Sequence, residues 1–446
     1  MANVDSTREM QDTARAAAET ARKAGAQQAA VSAARVRNVQ VDWRDGKMER
    51  VKEATTRGLS VELYVDGRYS TVSTSDLRPD AVRAFVETAV AMARKLEKDP
   101  FRSLPDPRLY AGQARVDLDL LDPGQGALTP AARRERARAA EEGARAVKGS
   151  DAFLSVSAGV SDSLSEVFRV HTNGFEGTRK GTTFVVSSGV SVKDPDGRRP
   201  EDSAYAFARH LAAVPPPATV GKEAAERALA CIGARKAESA AMTMVVDARA
   251  AGRLVSTLLG PLSGGALQQK QSCLEGKLGQ AVGSPLLDVA DDPLVPRGLD
   301  SRLFDSEGIA ARRFPVFEKG VLTAYYLDTY YAKKLGMEPT TRSSSNLAWT
   351  LGTKGREGLL ADARDAILVT GFLGGNSNST TGDFSLGVQG FRIRDGRIAE
   401  PVAEMNVSGN LLDVWKRLVA VGNDPYPYST LRTPTLVFEK VQFAGA

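Results

Sequence analysis

Residues 247–279 read DARAAGRLVSTLLGPLSGGALQQKQSCLEGKLG, a stretch that begins with the pattern of a buried helix and ends as a Gly/Gln-rich segment. Asp247 is a candidate N-cap residue, and the apolar residues after it repeat at helical spacing: Ala251, Leu254, Val255, Leu258 and Leu259. Gly260-Pro261 predicts an abrupt helix end, followed by a mobile loop. Many enzymes present a catalytic helix to a cleft in this way, yet this helix carries no group suited to catalysis.

The composition is that of a globular chain with several domains. Its 446 residues are more than a single hydrophobic core usually serves, and 42% of them are hydrophobic and 25% charged. No apolar run approaches the roughly 20 residues of a membrane span. The N-terminus lacks the apolar region of a secretory signal, so we expect a cytoplasmic protein that does not bind membranes.

The charge balance gives little indication of a nucleic-acid partner. The chain has 59 basic and 54 acidic residues, a net charge of +5. Its densest basic run, AARRERARAAEEGARAVKG at 131–149, alternates arginine with alanine and glutamate at helical spacing. That pattern favours a solvated helix face over the alternative, a phosphate-contacting surface. No nucleic-acid-binding motif accompanies it, and we expect no such partner.

Turn signals divide the chain into sheet-rich segments. Asp-Gly pairs at Asp45-Gly46 and Asp66-Gly67 lie between residues that favour strands, which predicts β-hairpins. We expect an α+β fold of three segments rich in antiparallel sheet with flanking helices: an N-terminal domain at 1–105, a middle hairpin-rich domain at 106–238 and a C-terminal domain at 239–446.

Few residues are suited to catalysis or metal binding. The chain has two histidines, His171 and His210, and neither belongs to a His-containing ligand pair at short spacing. Its two cysteines, Cys231 and Cys273, cannot form a disulfide framework or a Cys-rich zinc site. Ser256 and Cys273 have no base nearby in the sequence, and neither a G-x-S-x-G motif nor a phosphate-binding loop is present.

A second segment, LGGNSNSTTGDFSLG at 373–387, concentrates small polar residues between two predicted strands. It is predicted to be a long loop, and loops on a sheet scaffold often carry binding sites. The sequence is compatible both with an ordinary connecting loop and with a loop that binds peptides. In the second case the candidate peptide-binding residues are Asn376, Asn378, Thr380, Thr381, Asp383 and Ser385.

Several stretches of the C-terminal segment resemble the TldD/PmbA family in order and spacing. They are RLFDSEGIAARRFPVFEKGVLTAYYLDTYYAKKLG at 302–336, GNSNSTTGDFSLGVQGFRI at 375–393, EPVAEMNVSGNLLDVW at 400–415 and VGNDPY at 421–426. SCLEGKLGQAVGSPLLDVADDP precedes them in the position that the family would give it.

The resemblance implies one of two kinds of subunit. TldD-like chains carry HExxxH on the helix described above and a cysteine nearer the C-terminus, which together bind a metal. PmbA (TldE)-like chains keep the fold, lack these ligands and assemble with a TldD-like chain into a heteromeric metallopeptidase for small or unfolded peptides, including leader-peptide processing. The HExxxH positions fall here on Val255, Ser256 and Gly260. Residues 211–446 contain no histidine, and AVGNDPYPYSTLRTP stands where the cysteine is expected.

The resemblance therefore implies a non-catalytic PmbA/TldE-like subunit that shapes the substrate cavity. It implies no metal or other cofactor in this chain and zinc in the TldD-like partner. We expect extended peptides to be held by strand addition, because that mode reads the peptide backbone rather than its sequence. A stand-alone peptide-binding or regulatory protein, which would form a homo-oligomer when isolated, is the alternative. An independent hydrolase would have to use carboxylates in turn-like stretches, with these candidates: Asp291, Asp292, Asp305 and Glu307.

Overall fold

The computed structural model describes residues 2–445, with side chains from residue 7 onward. The helices are α1 (Ala2–Lys23), α2 (Pro79–Ala93), α3 (Pro130–Arg145), α4 (Pro217–Ala230), α5 (Ala248–Leu259), α6 (Gly264–Gln268), α7 (Thr329–Leu335), α8 (Arg356–Asp362) and α9 (Leu411–Lys416). The strands are β1 (Gln28–Arg44), β2 (Lys47–Val65), β3 (Arg68–Thr74), β4 (Phe153–His171), β5 (Glu176–Val192), β6 (Glu201–Ala208), β7 (Ala240–Val246), β8 (Val289–Asp291), β9 (Phe314–Glu318), β10 (Val321–Leu322), β11 (Leu347–Trp349), β12 (Ala366–Ser377), β13 (Asp383–Arg394), β14 (Arg397–Asn410), β15 (Leu418–Val421) and β16 (Leu436–Ala444).

The first sheet is antiparallel throughout and has the strand order β3-β2-β1-β4-β5-β6. Its long hairpins form because Asp45-Gly46 and Asp66-Gly67 adopt positive φ at both positions (47° and 79°, 52° and 74°), as a two-residue hairpin turn requires. β1 pairs with β4 from Ala30–His171 to Arg44–Ser157. One sheet therefore joins the first two predicted domains, whose boundaries remain predictions.

Two hydrophobic cores form on this sheet. The N-terminal core combines α1 and α2 with β1 and β2, whereas the second combines α3 and α4 with β4, β5 and β6. In the second core the two helices approach closely at Gly221, where a Cβ atom would lie 1.8 Å from the carbonyl oxygen of Ala140. A side chain at residue 221 would push α4 away from α3 and reduce the burial of both helices.

The C-terminal part is built on a second sheet of order β14-β13-β12-β7-β16-β15, in which β14 also pairs with β16 and closes a ring. β7 and β12 are parallel, while the other pairs in this sheet are antiparallel. A smaller antiparallel sheet has the order β10-β9-β8-β11. The α+β prediction, with antiparallel sheets and flanking helices, is confirmed. Within residues 2–445, no helix is long and apolar enough to cross a membrane.

Two predicted loops are wrong in detail. After α5, residues 260–262 form a 3-10 turn and α6 follows, capped by the Ser263 hydroxyl, which accepts a hydrogen bond from the Ala266 amide at 3.4 Å. Residues 373–387 are largely strand, and only 378–382 form the turn between β12 and β13. The hairpin continues because Phe384, Leu386 and Val388 alternate into the core with the period of a strand.

Candidate functional site

Helix α5 has one apolar and one polar face, and it begins directly after β7. The Asp247 carboxylate caps it by accepting a hydrogen bond from the Arg249 amide at 3.0 Å. Its apolar residues pack in the core of the second sheet: Ala251, Leu254, Val255 and Leu258. The opposite face carries Arg249, Gly252, Arg253 and Ser256, and all four line a cleft. The predicted helix and its buried face are confirmed.

The three motif positions have different surroundings. The Val255 side chain is 2% exposed and belongs to the core. Ser256 is exposed, and its hydroxyl donates a hydrogen bond to the Gly252 carbonyl oxygen at 2.8 Å, within the same helix. Gly260 is at the end of α5, where a Cβ atom would lie 3.9 Å from the Ser379 hydroxyl oxygen. The valine therefore points into the core, whereas the serine faces the cleft.

The cleft has a volume of about 710 Å³ and lies between the two large sheets. Its walls are the polar face of α5, the paired ends of β5 and β6, the start of the β12–β13 hairpin and part of 426–433. Besides α5, its polar and aromatic lining includes Arg44, Ser155, Ser157, Ser191, Glu201, Asp202, Ser203, Tyr205, Arg227, Thr370, Phe372, Gln389, Tyr426, Ser429 and Thr433. A cleft of this size matches the volumes of ordinary ligand sites.

Side-chain contacts between the two sheets hold the cleft in shape. Gln389 on β13 donates a hydrogen bond to the Asp202 carboxylate on β6 at 3.2 Å. The Arg227 guanidinium on α4 lies 3.3 Å from the Asp202 carboxylate and donates to the Thr370 carbonyl oxygen at 3.3 Å. Two of these three contacts join a residue of the middle segment to a residue of the C-terminal segment, and they fix the position of one wall of the cleft relative to the other.

The edge of β6 is occupied at two carbonyl groups. The Ser203 carbonyl oxygen accepts a hydrogen bond from the Arg249 guanidinium at 2.5 Å, and the Tyr205 carbonyl oxygen accepts one from the Tyr426 hydroxyl at 3.3 Å. A peptide adding to this edge as a strand would have to displace both side chains. The cleft is therefore better suited to recognition by side chains than to strand addition at β6.

The six predicted peptide-binding residues lie on the β12–β13 hairpin, and their side chains are exposed. The Asn378 side-chain oxygen accepts a hydrogen bond from the Thr380 amide at 2.9 Å, and the Asn410 amide group donates to the Asp383 carboxylate at 3.1 Å. None of the six lines the cleft, to which the 373–387 segment contributes Leu373. The side chains of Asn378, Thr381 and Asp383 form hydrogen bonds at the turn, and the role of all six residues in peptide binding stays a prediction.

The turn of the β12–β13 hairpin lies beside the end of α5 and beside the segment that follows α6. The Cys273 amide donates a hydrogen bond to the Ser379 carbonyl oxygen at 2.7 Å, and Ser379 also faces Gly260. The structure thus brings together the two segments that the sequence singled out, at the end of α5 and beside the cleft.

His171 is the last residue of β4, and His210 follows the end of β6 by two residues. His171 is 3% exposed, and its Nδ1 atom lies 3.0 Å from the Tyr110 hydroxyl. Burial, aided by the charge of Arg169, lowers the pKa of His171 to about 3. The Nε2 atom of His210 lies 2.9 Å from the Asp119 carbonyl oxygen. Both imidazoles pack as structural groups at these positions.

The residues present do not fit a zinc ion of the family's kind. A zinc site needs about three protein ligands, and the motif positions hold valine, serine and glycine. Among residues 7–445, no three or more His, Cys, Asp or Glu side chains are grouped to hold a metal.

The carboxylates of the hydrolase alternative have structural partners. Asp291 accepts hydrogen bonds from the Ser345 amide at 2.7 Å and the Tyr326 hydroxyl at 3.0 Å. Asp305 accepts one from the Ile309 amide at 3.0 Å. Burial raises the pKa of both groups. They shape turns and strand ends, as the sequence suggests.

The other two candidate carboxylates are also engaged. Glu307 accepts a hydrogen bond from the Thr329 amide at 2.8 Å at the start of α7, and burial raises the pKa of Glu307 to about 7. Asp292 lies 3.4 Å from the Arg313 guanidinium. None of the four carboxylates lines the cleft beside α5.

The polar face of α5 was not among the site residues predicted from the sequence. Arg249, Arg253 and Ser256 recur at helical spacing on the face opposite Val255. The same periodicity that identified the buried face could have identified them. The contribution of β6, including Glu201 and Tyr205, had no local signal, because it depends on contacts across more than 40 residues.

Comparisons with known proteins cover nearly the whole chain. Three domain profiles match in order: PmbA/TldA metallopeptidase domain 1 at 29–93, the central domain at 125–232 and the C-terminal domain at 239–445. Metalloprotease PmbA of Escherichia coli O157:H7 is 29% identical over 422 residues, which cover 94% of this chain and 92% of that protein.

Solved structures agree with these matches. A proposed modulator of DNA gyrase from Bacteroides thetaiotaomicron superposes with a TM-score of 0.94 at 40% identity, covering 98% of both chains. TldE from Thermococcus kodakarensis superposes with a TM-score of 0.85 at 20% identity, covering 97% of this chain and all of that one, which shows a shared fold. The names of the relatives support a peptidase-like role. Because three consecutive domain profiles match this chain and a 40% identical protein covers 98% of its length, the chain belongs to the PmbA/TldD family.

Proposed function

We propose that this chain is a non-catalytic PmbA/TldE-like subunit of a cytoplasmic metallopeptidase whose zinc and HExxxH motif belong to a TldD-like partner. The assembly trims small or unfolded peptides, including leader peptides, and this subunit shapes the substrate cavity. One observation carries the proposal: the position of the first motif histidine is Val255, which is 2% exposed in the core.

The packing of Val255 favours a chain that binds no metal at this position. Its side chain shares the core with Met244, Val246 and Val369, where an imidazole would lack a polar partner. Leaving a buried polar group without a hydrogen bond costs roughly 1–3 kcal/mol. A chain that no longer binds metal is therefore more stable with an apolar residue here.

The cleft beside α5 supports the cavity role. It is formed by the face of the helix that carries Ser256, the second motif position, and its walls come mostly from the middle and C-terminal segments, with Arg44 of β1 at one side. The side-chain contacts between its walls fix its shape. A peptide segment can enter it, although the strand-addition mode is blocked at the two occupied carbonyl groups of β6.

A cleavage assay tests whether peptide cleavage requires the TldD-like partner. The purified chain, an HExxxH-bearing TldD-like chain from the same genome and their mixture are each given an unstructured peptide with a fluorophore and a quencher. We expect no cleavage by this chain alone and cleavage by the mixture that a zinc chelator abolishes. Chelator-sensitive cleavage by this chain alone, at a rate that persists through purification, would contradict the proposal.

A further inference from the structure

The polar face of α5 brings two arginines to the cleft one helical turn apart. Arg249 and Arg253 have i, i+4 spacing, which places their Cβ atoms about 6 Å apart. Both side chains line the cleft, beside Gly252 and Ser256. Two guanidinium groups on one helix face can contact the same anionic group or two adjacent ones.

Neither arginine is neutralised by a carboxylate. Arg249 bonds to the carbonyl and hydroxyl oxygens of Ser203, and its guanidinium lies 5.4 Å from the Tyr205 ring centroid. Arg253 is exposed, and among residues 7–445 it has no hydrogen-bond or ion-pair partner. Arg249 is therefore held in place by neutral groups that leave its charge available, and Arg253 is free to bind an anion.

The other charges of the cleft favour an anion at this wall. Arg227 faces Asp202 at 3.3 Å and Arg44 faces Glu49 at 3.3 Å, so these two arginines are already paired. Glu201 lines the cleft from β6 and would repel a second acidic group there. An acidic ligand is consequently directed toward α5, because that is the part of the cleft with uncompensated positive charge.

The space around the arginines suits an extended peptide. Gly252 lines the cleft between the two arginines and has no side chain there, and a Cβ atom on it would be in ordinary contact, at 3.5 Å, with a Leu431 methyl group. Tyr205 and Tyr426 form an edge-on aromatic pair, with ring centroids 5.8 Å apart, beside Arg249, whose guanidinium lies over the Tyr205 ring. Aromatic rings of this kind provide apolar contact area for the side chains that flank a charged group.

We propose that Arg249 and Arg253 of α5 bind a carboxylate of the peptide held in this cleft. The inference rests on the proposed function and adds a substrate class to it, namely peptides that present a carboxylate. Arginine suits this role because its planar guanidinium donates two parallel hydrogen bonds to a carboxylate. The C-terminal α-carboxylate and an Asp or Glu side chain offer the same chemistry.

Fluorescence anisotropy with three labelled, unstructured peptides of equal length tests the proposal. One has acidic side chains and an amidated C-terminus, one has neutral side chains and a free C-terminus, and one is neutral with an amidated C-terminus. We expect a carboxylate-bearing peptide to bind about ten-fold more tightly than the fully neutral one, and to lose this advantage in Arg253→Gln. The peptide that responds to the substitution identifies the source of the carboxylate.

Two further variants control the experiment. Arg249→Gln is expected to reduce the same affinity, and Arg134→Gln, which changes an exposed arginine on α3 outside the cleft, is expected to leave it unchanged. Arg253 is exposed, so we expect its replacement to leave the thermal unfolding midpoint essentially unchanged, which circular dichroism checks. An equal loss in Arg134→Gln would mean non-specific charge attraction and would overturn the proposal.

The outcomes separate this inference from the function on which it rests. Equal binding of all three peptides, unchanged in Arg253→Gln, would overturn carboxylate recognition while leaving the chain as a peptide-binding subunit. No binding of any peptide by the wild-type chain would overturn both the carboxylate site and the cavity role. Chelator-sensitive cleavage by the pure chain would contradict the proposed function without changing the response to Arg253→Gln.

Discussion

Replacing Val255 by histidine restores the first residue of the HExxxH pattern inside a packed core. Val255 is 2% exposed, so the substitution removes nearly all the apolar burial of a valine, about 1.5 kcal/mol. The new imidazole, surrounded by apolar side chains, lacks a hydrogen-bond partner, which costs roughly 1–3 kcal/mol. We therefore expect Val255→His to destabilise the C-terminal part by about 3 kcal/mol.

Urea unfolding followed by tryptophan fluorescence measures this loss, since Trp415 and Trp349 lie in or against the same core. Ser256→Glu is the matched control on the neighbouring residue, and its exposed position predicts a change of less than about 0.5 kcal/mol. Because burial disfavours the charged imidazole, the destabilisation should grow as the pH falls below about 6.5, where the unfolded histidine becomes protonated.

A Val255→His variant as stable as the wild type would refute the placement of Val255 in a packed apolar core. Stoichiometric zinc binding by a variant with Val255→His, Ser256→Glu, Gly260→His and a cysteine near Asn423 would also refute it. That variant is expected to gain little zinc, because Val255 packs in the core and Pro261 follows Gly260 directly.

Three further predictions concern buried ionisable groups. In the wild type the buried Arg133 guanidinium lies 2.9 Å from an Asp162 carboxylate oxygen, and Asp162→Ala, which removes this carboxylate, should cost about 3–5 kcal/mol in urea unfolding. Combining Asp162→Leu with Arg133→Met should recover only part of this loss, because the buried Gln125 amide that also donates to Asp162 loses its acceptor. The pKa of His171 is about 3 in the folded chain and about 6.5 in the unfolded chain, so the unfolded state takes up a proton first as the pH falls. The free energy of unfolding should therefore decrease below pH 6.5, by about 2 kcal/mol at pH 5. His171→Phe should remove this part of the pH dependence of unfolding. Burial raises the pKa of the Cys231 thiol to about 11, whereas Cys273 is partly exposed. Iodoacetamide at pH 8 should therefore modify Cys273 first, which peptide mass spectrometry measures. Equal rates of modification would contradict the burial of Cys231.

Local patterns predicted much of the fold. The apolar spacing after Asp247 predicted α5 and its buried face, because a helix of period 3.6 needs one apolar side to pack. Asp45-Gly46 and Asp66-Gly67 predicted two hairpin turns, because both residues of such turns take positive φ. The C-terminal stretches pointed to the family, which the domain profiles confirm.

Long-range pairing could not be predicted from local patterns. β1 pairs with β4 across more than 100 residues, and nothing in either strand indicates its partner. Residues 373–387 looked like a loop because glycine and polar residues dominate them, yet Gly374 and Gly375, with positive φ, form a bulge within β12. The cleft likewise depends on β6 meeting α5, which only the folded chain reveals.

Native mass spectrometry of the tagged chain, isolated gently from its own cells, tests the central claim most directly. We expect a complex with a second chain of similar size that carries HExxxH and one zinc ion, with no zinc bound to this chain. A zinc-free homo-oligomer without such a partner would contradict the subunit role and favour the stand-alone peptide-binding protein. One zinc ion per copy in a pure homo-oligomer would contradict the interpretation of Val255, Ser256 and Gly260 as positions without metal ligands.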